Sequence, residues 1–342
     1  MSKKQTTGLI VAAIVFVVVG VISVITNTIS DKAKSKGNES GFGSIMEDLY
    51  GSSVNSALAD MPTSQDFVAV VPIRGTIQAS ADNSVYGSTN QYNHDLLIQY
   101  VDKLTMNSSN KGIILRLDTP GGTVYQADEL YLKLKEYKEK TGRPVFAYME
   151  SMCCSGGVYI ASSADEQYAN RITETGSIGV IISMYDMTEL YKKIGIKEVN
   201  IVSAENKDMG HAGKPMTSEQ KEIFQSFVDE YYEQFVEIVA EGRNMSVEEV
   251  KKLADGRIYT AKQAVENGLI DGIKTSEEFD AYVKEQTGVN KFYEPKSKDG
   301  YLTSLFGSLA SSKPKSEAEV LVDLMNQLGS GVPMYYAEPI GR

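Results

Sequence analysis

From Asp66 to Asp271 the chain alternates short apolar, β-branched runs with amphipathic stretches, and that alternation constrains its fold more than any other feature. Phe67-Val68-Ala69-Val70-Val71-Pro72-Ile73 reads as a strand, Asn93 to Leu104 as a helix, and Gly112-Ile113-Ile114-Leu115-Arg116-Leu117 as a second strand. A helix follows from about Tyr125 to Lys140, with Leu130, Leu134 and Tyr137 on one face, and Pro144 to Met149 is the next strand. Val158 to Ser163 and Thr188 to Ile194 read as helices, Thr175 to Val180 as a turn with an extended run, and Glu198 to Val202 as strand. Ser218 to Arg243 is a long helix in which Ile223, Phe227, Tyr231, Phe235 and Ile238 recur at three- or four-residue spacing. Thr217 and Gln220 stand at capping-box spacing at its start, and Ser246 with Glu249 repeats the box before a short helix. Lys262 to Asn267 is another helix, with Gly268 in the position that ends helices. Repeated strand–helix–strand passages require crossovers, so the expected fold class is α/β with largely parallel strands.

The first thirty residues do not belong to that pattern. Lys3 and Lys4 precede an almost unbroken apolar run from Gly8 to Ile25. Roughly eighteen residues at about 1.5 Å rise nearly cross a hydrocarbon core. The run is long for a signal-peptide core and no Ala-x-Ala site closes it, so residues 1–30 read as a cytoplasmic N-terminus and uncleaved signal anchor. Lys32, Lys34 and Lys36 follow the span and weaken the positive-inside signal. The short N-terminal side still predicts an extracytoplasmic globular part. Residues 31–65 are rich in Ser, Gly, Asn and Lys and read as a flexible stalk, with a short helix near Ile45 to Leu49. A folded domain over 66–285 and a Lys/Ser/Gly-rich tail over 286–342 complete the chain.

Composition removes several function classes. Net charge is −11 and no basic stripe occurs, which disfavours nucleic acid as a partner. The two cysteines, Cys153 and Cys154, are adjacent and cannot staple distant segments. They read as small buried apolar side chains. There are two histidines, no Cys/His cluster with zinc spacing, and no EF-hand or Walker-type loop, so no metal or cofactor is expected.

The chemistry-bearing stretch is Met152-Cys153-Cys154-Ser155-Gly156-Gly157-Val158-Tyr159, which sits where a strand gives way to a helix. A serine at such a junction can aim its Oγ out of the fold. Two glycines let a substrate carbonyl approach the backbone, and the first N–H groups of the helix can receive negative charge. These are the needs of an acyl-transfer nucleophile. Ser155 requires a base: His211, His94, or a lysine held neutral by burial or nearby positive charge. Lys207 is the lysine candidate, although Asp208 beside it would raise its pKa, and an ordinary exposed loop lysine is the bland alternative.

The run from Gly112 to Asp271 resembles the signal peptide peptidase A (protease IV) family of membrane-bound serine peptidases. Four ordered blocks carry the likeness: Asp118-Thr119-Pro120-Gly121-Gly122, Ser155-Gly156-Gly157, Thr175-Gly176-Ser177-Ile178-Gly179-Val180, and Gly256-Arg257-Ile258-Tyr259-Thr260 leading to Gly268-Leu269-Ile270-Asp271. Lys207-Asp208-Met209 and Tyr232-Glu233-Gln234-Phe235 match as well. The resemblance implies a crotonase/Clp-protease-like fold of stacked ββα units and a Ser–Lys dyad. Ser155 would be the nucleophile, Lys207 the general base and Ser177 the hydroxyl that orients it. The Gly122 and Gly156 N–H groups would form the oxyanion hole. It also implies released signal peptides as substrates, the bilayer as a partner, and a homo-oligomer in which neighbouring protomers can complete the dyad. A catalytically inactive membrane-anchored scaffold and a crotonase-type acyl-CoA enzyme are the alternatives. Cys153-Cys154 departs from the small, often Ala-Ala, pair usual before the nucleophile. Peptide addition to a strand edge is expected after Gly179, and the tail Met334-Tyr335-Tyr336-Ala337-Glu338-Pro339 reads as a regulatory pseudo-substrate or a plain terminus.

Overall fold

Parallel pairing organises the chain, as its alternation predicts. The computed structural model describes residues 58–79, 92–295 and 334–336. The expected anchor at 1–30 and the stalk helix at 45–49 lie outside the described residues. Among the described residues, no helix is long and apolar enough to cross a membrane.

The elements run β1 (Phe67–Arg74), α1 (His94–Met106), β2 (Asn110–Thr119), β3 (Gly121–Thr123), α2 (Val124–Thr141), β4 (Val145–Cys154) and α3 (Gly156–Ala161). They continue through β5 (Glu166–Ala169), β6 (Glu174–Gly176), α4 (Thr188–Ile194), a short 3-10 turn (Glu205–Asp208), α5 (Ser218–Arg243) and α6 (Val247–Leu253). β7 (Ile258–Thr260), α7 (Ala261–Glu266), β8 (Gly272–Ile273), α8 (Ser276–Thr287), β9 (Phe292–Tyr293) and β10 (Met334–Tyr336) follow. The main sheet has the order β7-β6-β4-β2-β1-β9, with β5 beside β4 and β8 beside β5. Its pairs are parallel apart from β6 with β7.

Both faces of the central strands are dry. Val68, Val70, Ile114, Phe146 and Tyr148 pack against Phe279 and Val283 of α8. The alternate residues Ile113, Leu115 and Leu117 point to the opposite face and are also fully buried. Strands covered on two sides must be apolar throughout, which is why β2 reads as a continuous hydrophobic run. Each such side chain contributes roughly 1.5–3 kcal/mol of burial. Capping boxes at Thr217/Gln220 and Ser246/Glu249 open α5 and α6, and the same device at Thr260/Gln263 and Thr275/Glu278 opens α7 and α8.

Three features depart from local pattern. Glu198 to Val202 is exposed loop, not strand, because its β-branched residues have no ladder partner among the described residues. The apolar face of α5 is buried only in its C-terminal half, at Phe235, Val236, Val239 and Ala240, while Phe227 is exposed. The fold also continues past residue 285: α8 ends at Thr287, and Phe292 and Tyr293 pair with Val68 and Ala69 at the sheet edge.

Candidate functional site

The candidate site is assembled at the C-terminal end of β4, where a parallel sheet places its ligands. Ser155 caps α3 with φ 53° and ψ −113°, a positive-φ conformation that costs a non-glycine residue on the order of 1–3 kcal/mol. Its N–H donates to the Gly176 carbonyl at 2.8 Å, which ties the β4–α3 turn to the end of β6. Ser155 is fully buried, and its Oγ has no hydrogen-bond partner among the described residues. A buried hydroxyl without a partner costs free energy, so the fold holds this group ready at the expense of stability. Gly156 opens α3, so its N–H has no acceptor inside the helix.

Two glycines are required by close approach. A Cβ at Gly122 would stand 1.8 Å from the Ile77 carbonyl oxygen, and one at Gly157 would stand 2.7 Å from Thr119 Cγ2. The first locks β3 against the turn after β1; the second lets α3 sit on the end of β2. β3 and α3 pack together, which brings the Gly122 strand beside the Ser155 turn. Ser177, the residue after Gly176, also has positive φ (51°), and its N–H donates to Arg257 O at 2.7 Å. It opens on a cavity of ≈390 Å³ lined by Gly179, Val180, Ile181, Tyr232 and Gly256. A larger cavity, ≈690 Å³, contains none of the candidate residues, and its Arg74 and Arg116 are paired with Glu294 and Asp280.

The structure thus brings Ser155, Gly156, Gly122 and Ser177 to one region. Lys207 does not hydrogen-bond Ser155 within the chain. It is exposed on the 3-10 turn, and its ammonium makes no side-chain bond among the described residues. The neighbouring Asp208 is turned away: a hydrogen bond from Lys214, then one from Asn200, holds its carboxyl below the usual range. Both histidines are engaged elsewhere. His94 lies between Tyr92 (2.7 Å) and Glu129 (2.8 Å), and His211 Nδ1 is 2.6 Å from Glu198.

Tyr159 and Gln234 lie in motif-bearing stretches of the sequence, but nothing in its spacing shows that they meet Asp128 to brace α3. Tyr159 donates to Asp128 at 2.6 Å, and Gln234 Nε2 donates to Tyr159 Oη at 2.9 Å, so α2 and α5 hold α3 from two sides. Cys153 and Cys154 are free and buried. Burial, with Cys154 and Asp118 adding to it, lifts the Cys153 thiol well above its usual range; burial and Glu174 push Cys154 up to about 12. Both thiols are expected to resist alkylation in the folded protein and to react on unfolding. Fast labelling of native protein would show that the strand before Ser155 opens.

The described C-terminal strand lies on this region. β10 pairs antiparallel with β3, Tyr335 opposite Gly122. The added strand therefore runs along Gly121–Thr123 rather than along the run after Gly179.

Comparison with known proteins decides the family. A sequence model described as peptidase family S49 matches residues 137–290. An Enterococcus faecium protein named as a signal peptide peptidase SppA is 33% identical over 267 residues, 78% of this chain and 77% of that protein. The chain belongs to the signal peptide peptidase A family, peptidase family S49. This S49 member is accordingly a serine peptidase. It is also 33% identical over 207 residues to Protease 4 of Haemophilus influenzae, covering 60% of this chain but 32% of that longer protein. A solved membrane-bound stomatin-specific protease superposes with TM-score 0.40 at 17% identity, over 64% of this chain and 84% of that one.

Proposed function

We propose that this peptidase is a membrane-anchored endopeptidase with a Ser155–Lys207 dyad that degrades cleaved signal peptides. One observation carries the reading: the Ser155 hydroxyl is held in a strained turn, buried and without a hydrogen-bond partner among the described residues. Neutral Lys207 Nζ takes the Ser155 proton as Oγ adds to a peptide carbonyl. The Gly122 and Gly156 N–H groups receive the oxyanion, each contributing on the order of 3 kcal/mol in the transition state. The lysinium protonates the leaving amine, and water then hydrolyses the acyl-enzyme. Ser177 orients the amine. No metal or cofactor enters.

In this reading the base comes from a neighbouring protomer. Lys207 is exposed within one chain, whereas a lysine base must be desolvated to lose its proton near neutrality. The stretch before it exposes Ile181, Leu190, Ile194, Val199 and Ile201, and α4 buries none of its residues. An apolar surface of this kind suits a second copy of the chain, whose lysine would enter the cavity beside Ser177. The domain is proposed to consist of stacked ββα units of the crotonase/Clp-protease type, from residue 66 through β9. An anchor (1–30), a stalk (31–65) and a tail after β9 complete the plan, with the catalytic part extracytoplasmic.

The signal-peptide assignment rests on the name of the Enterococcus faecium relative and on the apolar run at residues 8–25. The strand on β3 supports extended peptides as ligands, bound by main-chain pairing beside Gly122. A mixing experiment tests the dyad. Ser155→Ala and Lys207→Ala proteins are each expected to be inactive alone and to recover part of the activity when co-assembled. Full activity of Lys207→Ala alone would end the dyad assignment; inactive mixtures would return the base to the same chain.

A further inference from the structure

We propose that Asp118 is a positioning residue for the nucleophile, its carboxylate clamping the bulge in β4 that delivers Ser155. The inference rests on Ser155 being the nucleophile. β4 changes neighbours midway along its length. From Phe146 to Met149 it runs beside β5, Phe146 opposite Glu166 and Met149 opposite Ala169. From Met152 to Cys154 it runs beside β6, Met152 opposite Glu174 and Cys154 opposite Gly176. The change falls within Glu150–Met152. On the other side of β4, Leu117 is paired with Met149 but Thr119 with Cys153. Asp118 alone therefore stands opposite three residues of β4.

Such a bulge bends a strand and leaves its backbone groups short of ladder partners. Here side chains supply them. One Asp118 oxygen, Oδ1, accepts from the Met152 N–H at 3.2 Å and from the Ser151 hydroxyl. The Asp118 carbonyl accepts from Gly75 N–H at 2.9 Å, which fixes the residue to the turn after β1. From the far side, buried Thr173 reaches the carbonyls of Met149 (3.0 Å) and Glu150. Arg74, the register partner of Asp118, directs its guanidinium to Glu294 and Glu150.

The consequence reaches the site in three residues. The bulge sets how far Cys153 and Cys154 advance along β6, and so where Ser155 meets the Gly176 carbonyl. Asp118 also begins the segment that leads to Gly122. One side chain thus fixes the nucleophile strand relative to the proposed oxyanion strand. That separation matters when the tetrahedral intermediate forms and much less when substrate docks. Because two residues are added, an even number, the side chains after the bulge keep the facing they had before it.

The test compares the full chain with Asp118→Ala, Asp118→Asn, Ser151→Ala and Ser155→Ala, by peptide hydrolysis, by the rate of fluorophosphonate labelling and by thermal melting. Asp118→Ala is expected to lower kcat roughly 10- to 100-fold with KM unchanged, and to slow labelling in parallel. Asp118→Asn keeps an acceptor oxygen and is expected to recover most of the loss. An unchanged kcat in Asp118→Ala, a loss confined to KM, or an Asn variant no better than Ala would overturn the clamp. Should Asp118→Ala fail to fold, Ser151→Ala carries the test: a reduced kcat at constant KM supports the clamp, and a wild-type kcat sinks it. Hydrolysis surviving in Ser155→Ala would instead remove the nucleophile assignment. Loss in Ser155→Ala beside full activity in Asp118→Ala would remove the clamp alone.

Discussion

Ser155→Ala is expected to lose at least about 10⁴-fold in kcat while gaining stability. The two effects have one cause. Ser155 is fully buried with an unpartnered Oγ, so alanine removes an unsatisfied hydroxyl and leaves no orphaned neighbour. Relief of that desolvation is worth about 1–3 kcal/mol. Ser155→Gly should be equally inactive and more stable still, because glycine accepts φ 53° without the strain that a Cβ imposes. Thermal melting with activity measured on the same samples checks both. An active Ser155→Ala protein would show that the hydroxyl has no catalytic duty, and one that melts well below wild type would show that it has a structural partner. Opposite signs for stability and activity at one residue are the expected mark of a site selected for reactivity.

Gly122→Ala is expected to be the most damaging single-methyl change near the site. Its Cβ would lie 1.8 Å from Ile77 O, 2.5 Å from Ile77 C and 2.7 Å from Ile77 N, all backbone atoms. Neither strand can yield, because Ile77 N–H donates to Gly121 O and Thr123 N–H to Ile77 O, both at 2.8 Å. A loss of about 3 kcal/mol or more follows, which is roughly 6–12 °C in Tm for a domain of this size. Gly179→Ala provides the contrast. The nearest atom to its Cβ would be Gly256 Cα at 3.6 Å, an ordinary contact, so its melting temperature should stay close to that of wild type. If both variants melt alike, the packing of β3 on the turn after β1 is not what makes glycine necessary there.

Much of the architecture was legible because its causes are local. The spacing of apolar residues in Val124–Thr141 and Ser218–Arg243 marks helices whatever surrounds them, and the Thr217/Gln220 and Ser246/Glu249 boxes mark their starts. Where local pattern misleads, the cause is distant. Val199, Ile201 and Val202 have strand composition, yet no strand among the described residues accepts them, and they end exposed in a loop. Phe227 and Phe235 belong to one helical stripe, but only the second meets the body of the domain.

The same division runs through the site. Gly-Gly after an apolar strand, a serine at the turn and ordered family blocks are properties of neighbouring residues, so the chain alone points to a candidate acyl-transfer nucleophile and candidate backbone donors. Tertiary structure alone decided that the Ser155 hydroxyl is sealed off without a partner and that Lys207 stands exposed on its own chain. It alone decided that Asp118 faces a three-residue bulge and that a C-terminal strand lies on Gly122. Burial and register depend on residues far away in sequence, and a one-residue slip in the pairing of β2 would turn Asp118 to the other face of the sheet.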